Sequence, residues 1–201
     1  MSTEIPKRPR GRPRTFDRQH TVEIAMESYW REGLHALGLN ELCRRAGISK
    51  PGLYREFGGE DGLMLAALDH YRSTVLSRLF EWLQSERPFE EVLHGLLVWY
   101  TSDRGLPAGC LFTNVRSAPS RVGASTSDRV AEVLREVRDA YEAWYRRSQQ
   151  RGEANETVDP ALAAYLLDTQ LTLVTTLMRA GEEPDRVRAQ AKLALASLLA
   201  A

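Results

Sequence analysis

The stretch LNELCRRAGISKPGLYREF, Leu39 to Phe57, reads as two short helices joined by a tight turn. In the first, Leu39, Leu42, Cys43 and Ala46 fall at i, i+3, i+4 and i+7, the spacing of a single apolar helical face. Gly47 follows where a left-handed residue closes a helix without a Cβ penalty. Ile48 is an apolar turn residue able to plug the angle between the helices. Ser49 is a good N-cap, and Pro51 sits in the next helix's first turn, where its missing N–H costs nothing. Leu53 and Phe57 form that helix's inward stripe, which leaves Lys50, Gly52, Tyr54 and Arg55 for the outward side. Two helices around a Gly-containing turn match the helix-turn-helix, which lays its second helix in the DNA major groove. The plain alternative is a helical hairpin inside a bundle, its charges solvated.

The charge distribution bears on that choice. Over 201 residues the formal net charge is zero, which taken alone argues against nucleic acid. Through Gly58, however, 11 Lys and Arg stand against 7 Asp and Glu, a net +4, while the remainder carries 16 against 20, a net −4. The basic excess thus lies on the segment where phosphate binding needs it. A hydrophobic content of 43% and a charged content of 27% suit a globular protein with a real core.

Several classes are not expected. Cys43 and Cys110 are too few for a disulfide framework and fit no zinc spacing. His70 and His94 have no acidic partner at metal spacing, so no metal or cofactor is expected. Without a nucleophile elbow, phosphate loop, dinucleotide fingerprint or convincing strand, an enzyme is not expected either. No uninterrupted apolar run approaches a membrane span, and the basic start is followed by no apolar signal region. The expected compartment is the cytoplasm, in a bacterium including its nucleoid.

Residues 1–14, MSTEIPKRPRGRPR, have almost no apolar content and read as a disordered basic arm. Its core RPRGRPR, with Arg10, Arg12 and Arg14, looks like an AT-hook, an extended segment whose arginines enter a narrow A·T-rich minor groove. A solubilising tail is the alternative. Asp17 to Trp30 is the first firm helix, its Val22, Ala25, Met26, Tyr29 and Trp30 stripe expected to pack on Leu42, Leu53 and Phe57. Beyond Gly58-Gly59 a long helical pattern runs from about Gly62 to Gln84, and Pro88 breaks it. Phe89 to Tyr100, Asp128 to Arg151, Pro160 to Arg179 and a last helix from Pro184 follow, with short loops and an irregular piece over Cys110–Ser117. The last two helices are apolar enough that Ala161, Ala164, Leu171, Val174, Leu193, Ala194 and Leu198 suit contact with a second copy across a two-fold axis. A buried core helix with a frayed apolar end is the alternative.

At this point the chain resembles the TetR family of transcriptional regulators. The resemblance covers Thr15 to about Leu65: basic arm, the helix ending at Trp30-Arg-Glu-Gly33, the helix-turn-helix, and the Tyr54-x-x-Phe57-Gly58 close, with AGISKPGLYREFG its most specific part. It implies an all-α homodimer divided into an arm (1–14), a three-helix DNA-binding domain (15–60) and a larger helical effector-binding and dimerisation domain (61–201). Such a protein represses, less often activates, from a palindromic double-stranded operator and is released by a small molecule. A nonspecific architectural DNA binder acting through the arm is the rival reading.

Carried over to matching positions, the resemblance gives Lys50, Pro51, Gly52 and Tyr54 as recognition-helix contacts beginning at Ser49, with Arg55 nearby and Arg44 and Arg45 near phosphates. The chain departs from the family where the motif's first helix usually opens with Thr or Ser: Leu37 and Gly38 stand there, without a hydroxyl. A second resemblance, Gly109-Cys110-Leu111-Phe112-Thr113-Asn114, is to a GCL-x-x-N branch in which some members sense electrophiles or oxidants through the cysteine. From the residues themselves, the preferred reading of Cys110 is a buried cysteine acting as a small hydrophobe. The effector cavity implied by the family is expected to be lined by Trp99, Tyr100, Cys110, Asn114, Tyr141, Trp144, Tyr145 and Gln170, whose aromatic weight suits a hydrophobic or aromatic ligand with few polar anchors.

Overall fold

The computed structural model describes residues 16–103 and 105–200, and among them the regular elements are all helical, with one isolated bridge between Ala154 and Leu199. The arm with Arg10, Arg12 and Arg14 lies outside the described residues. Helix α1 (Arg18–Glu32) starts at Asp17, whose carboxylate accepts from the His20 N–H. It packs on α2 (Leu39–Arg45) and α4 (Glu60–Tyr71), while α3 (Lys50–Phe57) packs between α2 and α4. The turn between α2 and α3 is built as its sequence demands. Gly47 takes a left-handed φ of 64°, Ile48 is buried in the angle, and the Ser49 hydroxyl accepts from the Gly52 N–H at 3.1 Å.

The long helix expected over Gly62–Gln84 is interrupted. After α4 the chain widens into a π-helical stretch (Arg72–Leu76) and resumes as α5 (Ser77–Gln84). At its start Gly62 sits against the end of α3, where a Cβ would run into the Phe57 carbonyl oxygen. Next come α6 (Phe89–Thr101), α7 (Leu111–Arg116), α8 (Ala124–Gln150), α9 (Pro160–Ala180) and α10 (Pro184–Leu195). Helix α8 begins four residues before the expected Asp128. Its start is capped from another helix: the Asp61 carboxylate accepts from the Gly123 N–H at 2.8 Å, and the Thr126 hydroxyl donates to the Asp61 carbonyl. A cap supplied across 62 residues leaves no local signal.

One buried apolar cluster runs from Val22 to Leu198. Helices α4 and α8 are further linked by Arg129 to Asp69 at 2.8 Å, and the π stretch joins α8 through Arg72 and Glu136 at 2.6 Å. Two packing expectations need correction. Trp30 is fully buried, but its ring meets Tyr71 edge-on at 4.8 Å and its indole N–H donates to the Gly109 carbonyl, so it belongs to the seam between the two parts. Of the residues expected across a two-fold axis, Ala164, Leu171, Val174 and Leu198 are buried within this chain. The large apolar side chains left exposed on α9 and α10 are Leu162, Tyr165 and Leu193, and the expected Ala161 is exposed beside them. Helix α9 is long and apolar enough to cross a membrane by composition alone. One face of it fills the chain's own core, and its Asp168 pairs with Arg138 on α8.

Candidate nucleic-acid interface and effector cavity

The outward face of α3 is short and well fixed. Ser49 caps its first turn, Gly58 closes it with a left-handed φ of 74°, and Leu53 anchors its inner side. Lys50, Pro51, Tyr54 and Arg55 are exposed; Tyr54 is 57% exposed, unusual for so large a ring, and lies over Gly59. Gly52, expected on this face, is buried. A Cβ there would stand 3.1 Å from the Ser49 hydroxyl and 3.2 Å from Ile48, so its smallness lets α3 close on the turn.

The arginines of α2 are held by neighbouring carboxylates. Arg44 bonds both oxygens of Glu41, and Arg45 bonds Glu41 at 2.8 Å and also Glu32. Hydrogen bonds from Arg44 and then Arg45 pull the Glu41 carboxyl down to about 2. Arg55 bonds Glu56 beside it. Between the start of α1 and the turn lies a groove of about 390 Å³ lined by Phe16, His20, Arg45, Ser49 and Arg55, at the same face. His20 and Phe16 were not singled out in the sequence; only their places in the first turn of α1 and just before its Asp17 cap could have suggested them.

In the larger part, a cavity of about 40 Å³ lies between α5, α6, α7, α8 and α9. Tyr100, Cys110 and Tyr141 line it as expected, with Leu76, Leu79, Phe112 and Asp168 among their neighbours. Burial pushes the Tyr71 and Tyr141 phenols well above their ordinary range. Cys110 is partly accessible, whereas Cys43 is core and its thiol is raised by burial. Dry cavities of about 150 Å³ accept benzene; this one does not hold an aromatic effector as it stands.

The remaining expected residues fall elsewhere. Asn114 lines an outer cleft rather than the cavity. Trp99 stacks edge-on against Tyr100 at 4.7 Å, outside the lining. Trp144 is packed on Phe89 at 4.5 Å, and the Tyr145 hydroxyl donates to the Asn155 and Leu198 carbonyls, so both build the far end of the core. Gln170 on α9 is not in the lining either. Helical periodicity marked these side chains as inward, and an inward aromatic is more often core than ligand wall.

Around Trp30 the two parts are stitched together. Its carbonyl, near the end of α1, accepts from Arg179 of α9 at 2.8 Å and from Asn114 of α7 at 3.4 Å. Its ring leads through Tyr71 to Phe112 on the cavity wall, at 5.9 Å between the latter two. The cavity and the turn-bearing unit thus share one packed path.

Comparison with known proteins places this arrangement. The model of bacterial regulatory proteins of the tetR family matches residues 22–67, and the tetracyclin repressor-like C-terminal domain matches residues 91–194, over half the chain. The chain belongs to the TetR family. Its all-α plan, with an N-terminal helix-turn-helix and a helical C-terminal domain, is the family's. The HTH-type transcriptional repressor ComR of Escherichia coli (strain K12) is 34% identical over 118 residues, 56% of either chain. The repressor BdcR of the same strain is 32% identical over 114 residues, 55% of this chain and 58% of BdcR. The chain therefore matches little more than half the length of these relatives. A cysteine mutant of the TetR family regulator CifR, complexed with 26 bp double-strand operator DNA, superposes with a TM-score of 0.80 at 24% identity, covering 94% of this chain and 100% of that one. Within the TetR-family frame sequence reasoning missed Asp168 and Arg179, and it read Trp30 and Tyr71 as inward apolar positions without their contact to each other. All four act through partners distant in sequence.

Proposed function

We propose that this TetR-family chain is a sequence-specific DNA-binding regulator, a repressor that works as a homodimer and leaves its operator when a small molecule binds the C-terminal domain. The observation that carries it is the α3 face: Lys50, Pro51, Tyr54 and Arg55 exposed together on a helix whose position is over-determined by its cap, its closing glycine and the buried Leu53. Lysine and arginine suit phosphates and guanine edges, and a tyrosine hydroxyl suits a phosphate oxygen. Arg44 and Arg45 reach phosphates by exchanging Glu41 for DNA. Gly52 and Ser49 shape the helix start and contribute backbone, not side chain.

One such helix covers half a typical operator, and two copies place two helices about 34 Å apart in successive major grooves. The exposed Leu162, Tyr165 and Leu193 supply the apolar surface for that pairing. The names of the repressor relatives and the operator-bound CifR structure support the reading; the rival architectural role finds no such support. Function on chromosomal DNA puts the protein in the cytoplasm, at the nucleoid when bound. The test is fluorescence anisotropy with DNA from upstream of the protein's own gene under increasing nonspecific competitor. Saturable binding that survives competitor is expected; binding that any DNA removes equally would end the proposal.

A further inference from the structure

The outer cleft beside the cavity is polar, basic and unaccounted for. It has a volume of about 390 Å³ and shares Cys110, Thr113, Thr172 and Thr175 with the cavity, so it forms the cavity's mouth. Arg116 and Arg179 line it, and no carboxylate does. Arg129, Arg138 and Arg146 on the neighbouring α8 each pair with a carboxylate and Arg147 donates to a backbone carbonyl, whereas Arg116 on α7 has no ion pair or hydrogen bond among the described residues. The hydrogen bond Arg179 makes is to the Trp30 carbonyl.

From this geometry we infer that the cleft is the head-group site for a small anionic effector, and that the effector acts by taking Arg179 away from α1. The inference rests on the regulator reading above and names the ligand class and the switch. A guanidinium bonded to a carboxylate or phosphate gains the attraction of opposite charges and a bidentate geometry that a single neutral carbonyl does not offer. An anion in the cleft therefore competes well with Trp30 for the Arg179 N–H groups. Once Arg179 turns, the Trp30 carbonyl keeps the longer bond from Asn114, and α1 loses a cation at its C-terminal end, where cations stabilise a helix. The ligand thereby gains affinity for the released state, which is what a shift in population requires.

The hydroxyls refine the class. Those of Thr113, Ser117, Thr175 and Thr176 already donate to backbone carbonyls of their own helices at 2.8–2.9 Å. They present lone pairs to the cleft, so the ligand must also donate. The fitting class is a small carboxylate or phosphate that carries a hydroxyl. The apolar stripe with Leu162 and Leu193 is separate, since on α9 the cleft residues 172, 175, 176 and 179 lie about a quarter turn from Leu162.

The test is calorimetric titration of the full-length protein with glycerol 3-phosphate, 3-phosphoglycerate and citrate, with sodium sulfate at equal ionic strength as control. At least one probe is expected to bind saturably, once per protomer, with at least tenfold loss in Arg116→Gln. Hydrogen exchange at the last turn of α1 should rise on binding in wild type, and should already be raised in Arg179→Gln without ligand. No binding by all three probes, or binding that Arg116→Gln leaves unchanged, overturns the site. Binding without a change in α1 exchange overturns the switch. Loss of DNA binding by the ligand-free wild type would instead defeat the regulator reading, and the calorimetry would stand apart from it.

Discussion

Arginines at the two working surfaces are held in opposite ways. On α2 and α3, Arg44, Arg45 and Arg55 each lie against a carboxylate, and all but Arg45 are more than two-thirds exposed. At the seam, Arg179 holds a main-chain carbonyl 149 residues away, and Arg116 holds nothing among the described residues. On the proposed regulator reading, the first pattern keeps the face for DNA soluble and ready to exchange glutamate for phosphate. The second makes a mechanical joint out of a group that an anion would prefer. A surface that binds by exchange tolerates single losses, whereas a joint does not.

The largest expected effect therefore lies at the joint. Trp30→Ala removes a fully buried ring that touches Tyr71 and Gly109, and it should lower stability by about 3–5 kcal/mol in denaturant unfolding, as large aromatic truncations do. A loss confined to the helix-turn-helix unit, with the C-terminal domain unfolding as before, would break the claim that the seam joins them. At the DNA face the loss should be in affinity alone. Lys50→Ala with Tyr54→Ala should weaken operator binding by a hundredfold or more, at roughly 1–3 kcal/mol per contact, with sedimentation still showing the dimer. Dissociation of the dimer instead would place the DNA surface elsewhere.

Tyr145→Phe sharpens the comparison from the other side. Its two acceptor carbonyls keep other donors, Gln149 for Asn155 and the Asn155 N–H for Leu198, so a cost of about 1 kcal/mol is expected, with effector response unchanged. The smallest effect is at Glu41. Glu41→Gln should free Arg44 while Arg45 stays on Glu32, tighten DNA binding roughly threefold and steepen its salt slope by about one. The sign with pH follows from the same bonds. A carboxyl drawn down to about 2 in the folded chain stabilises it above the ordinary carboxylate range, and that contribution is lost as pH falls toward 2. Amide protection in α2 should drop over that interval in wild type and stay flat in Glu41→Gln.

The parts legible from sequence are those decided within a turn or two of helix. Gly47, Ser49, Pro51 and Gly58 wrote the helix-turn-helix in local backbone chemistry, and Asp159-Pro160 with Gly181 bounded α9 in the same way. What escaped depends on partners far along the chain. The early start of α8 hangs on Asp61, Trp30 owes its place to Gly109, and Gly52 is buried by Ile48 folding back over it. Among the aromatics, Tyr141 and Trp144 differ by three residues on one helix face; one lines the cavity and the other packs on Phe89. Periodicity alone does not separate them, because both point inward.

The most direct measurement is hydroxyl-radical footprinting of the full-length protein on DNA from upstream of its gene. Two protected patches about one helical turn apart, symmetric about a dyad and absent with the Lys50→Ala, Tyr54→Ala variant, are predicted for paired α3 helices in successive grooves. A continuous footprint that moves with protein concentration and ignores sequence, or two patches that survive in the variant, would contradict it.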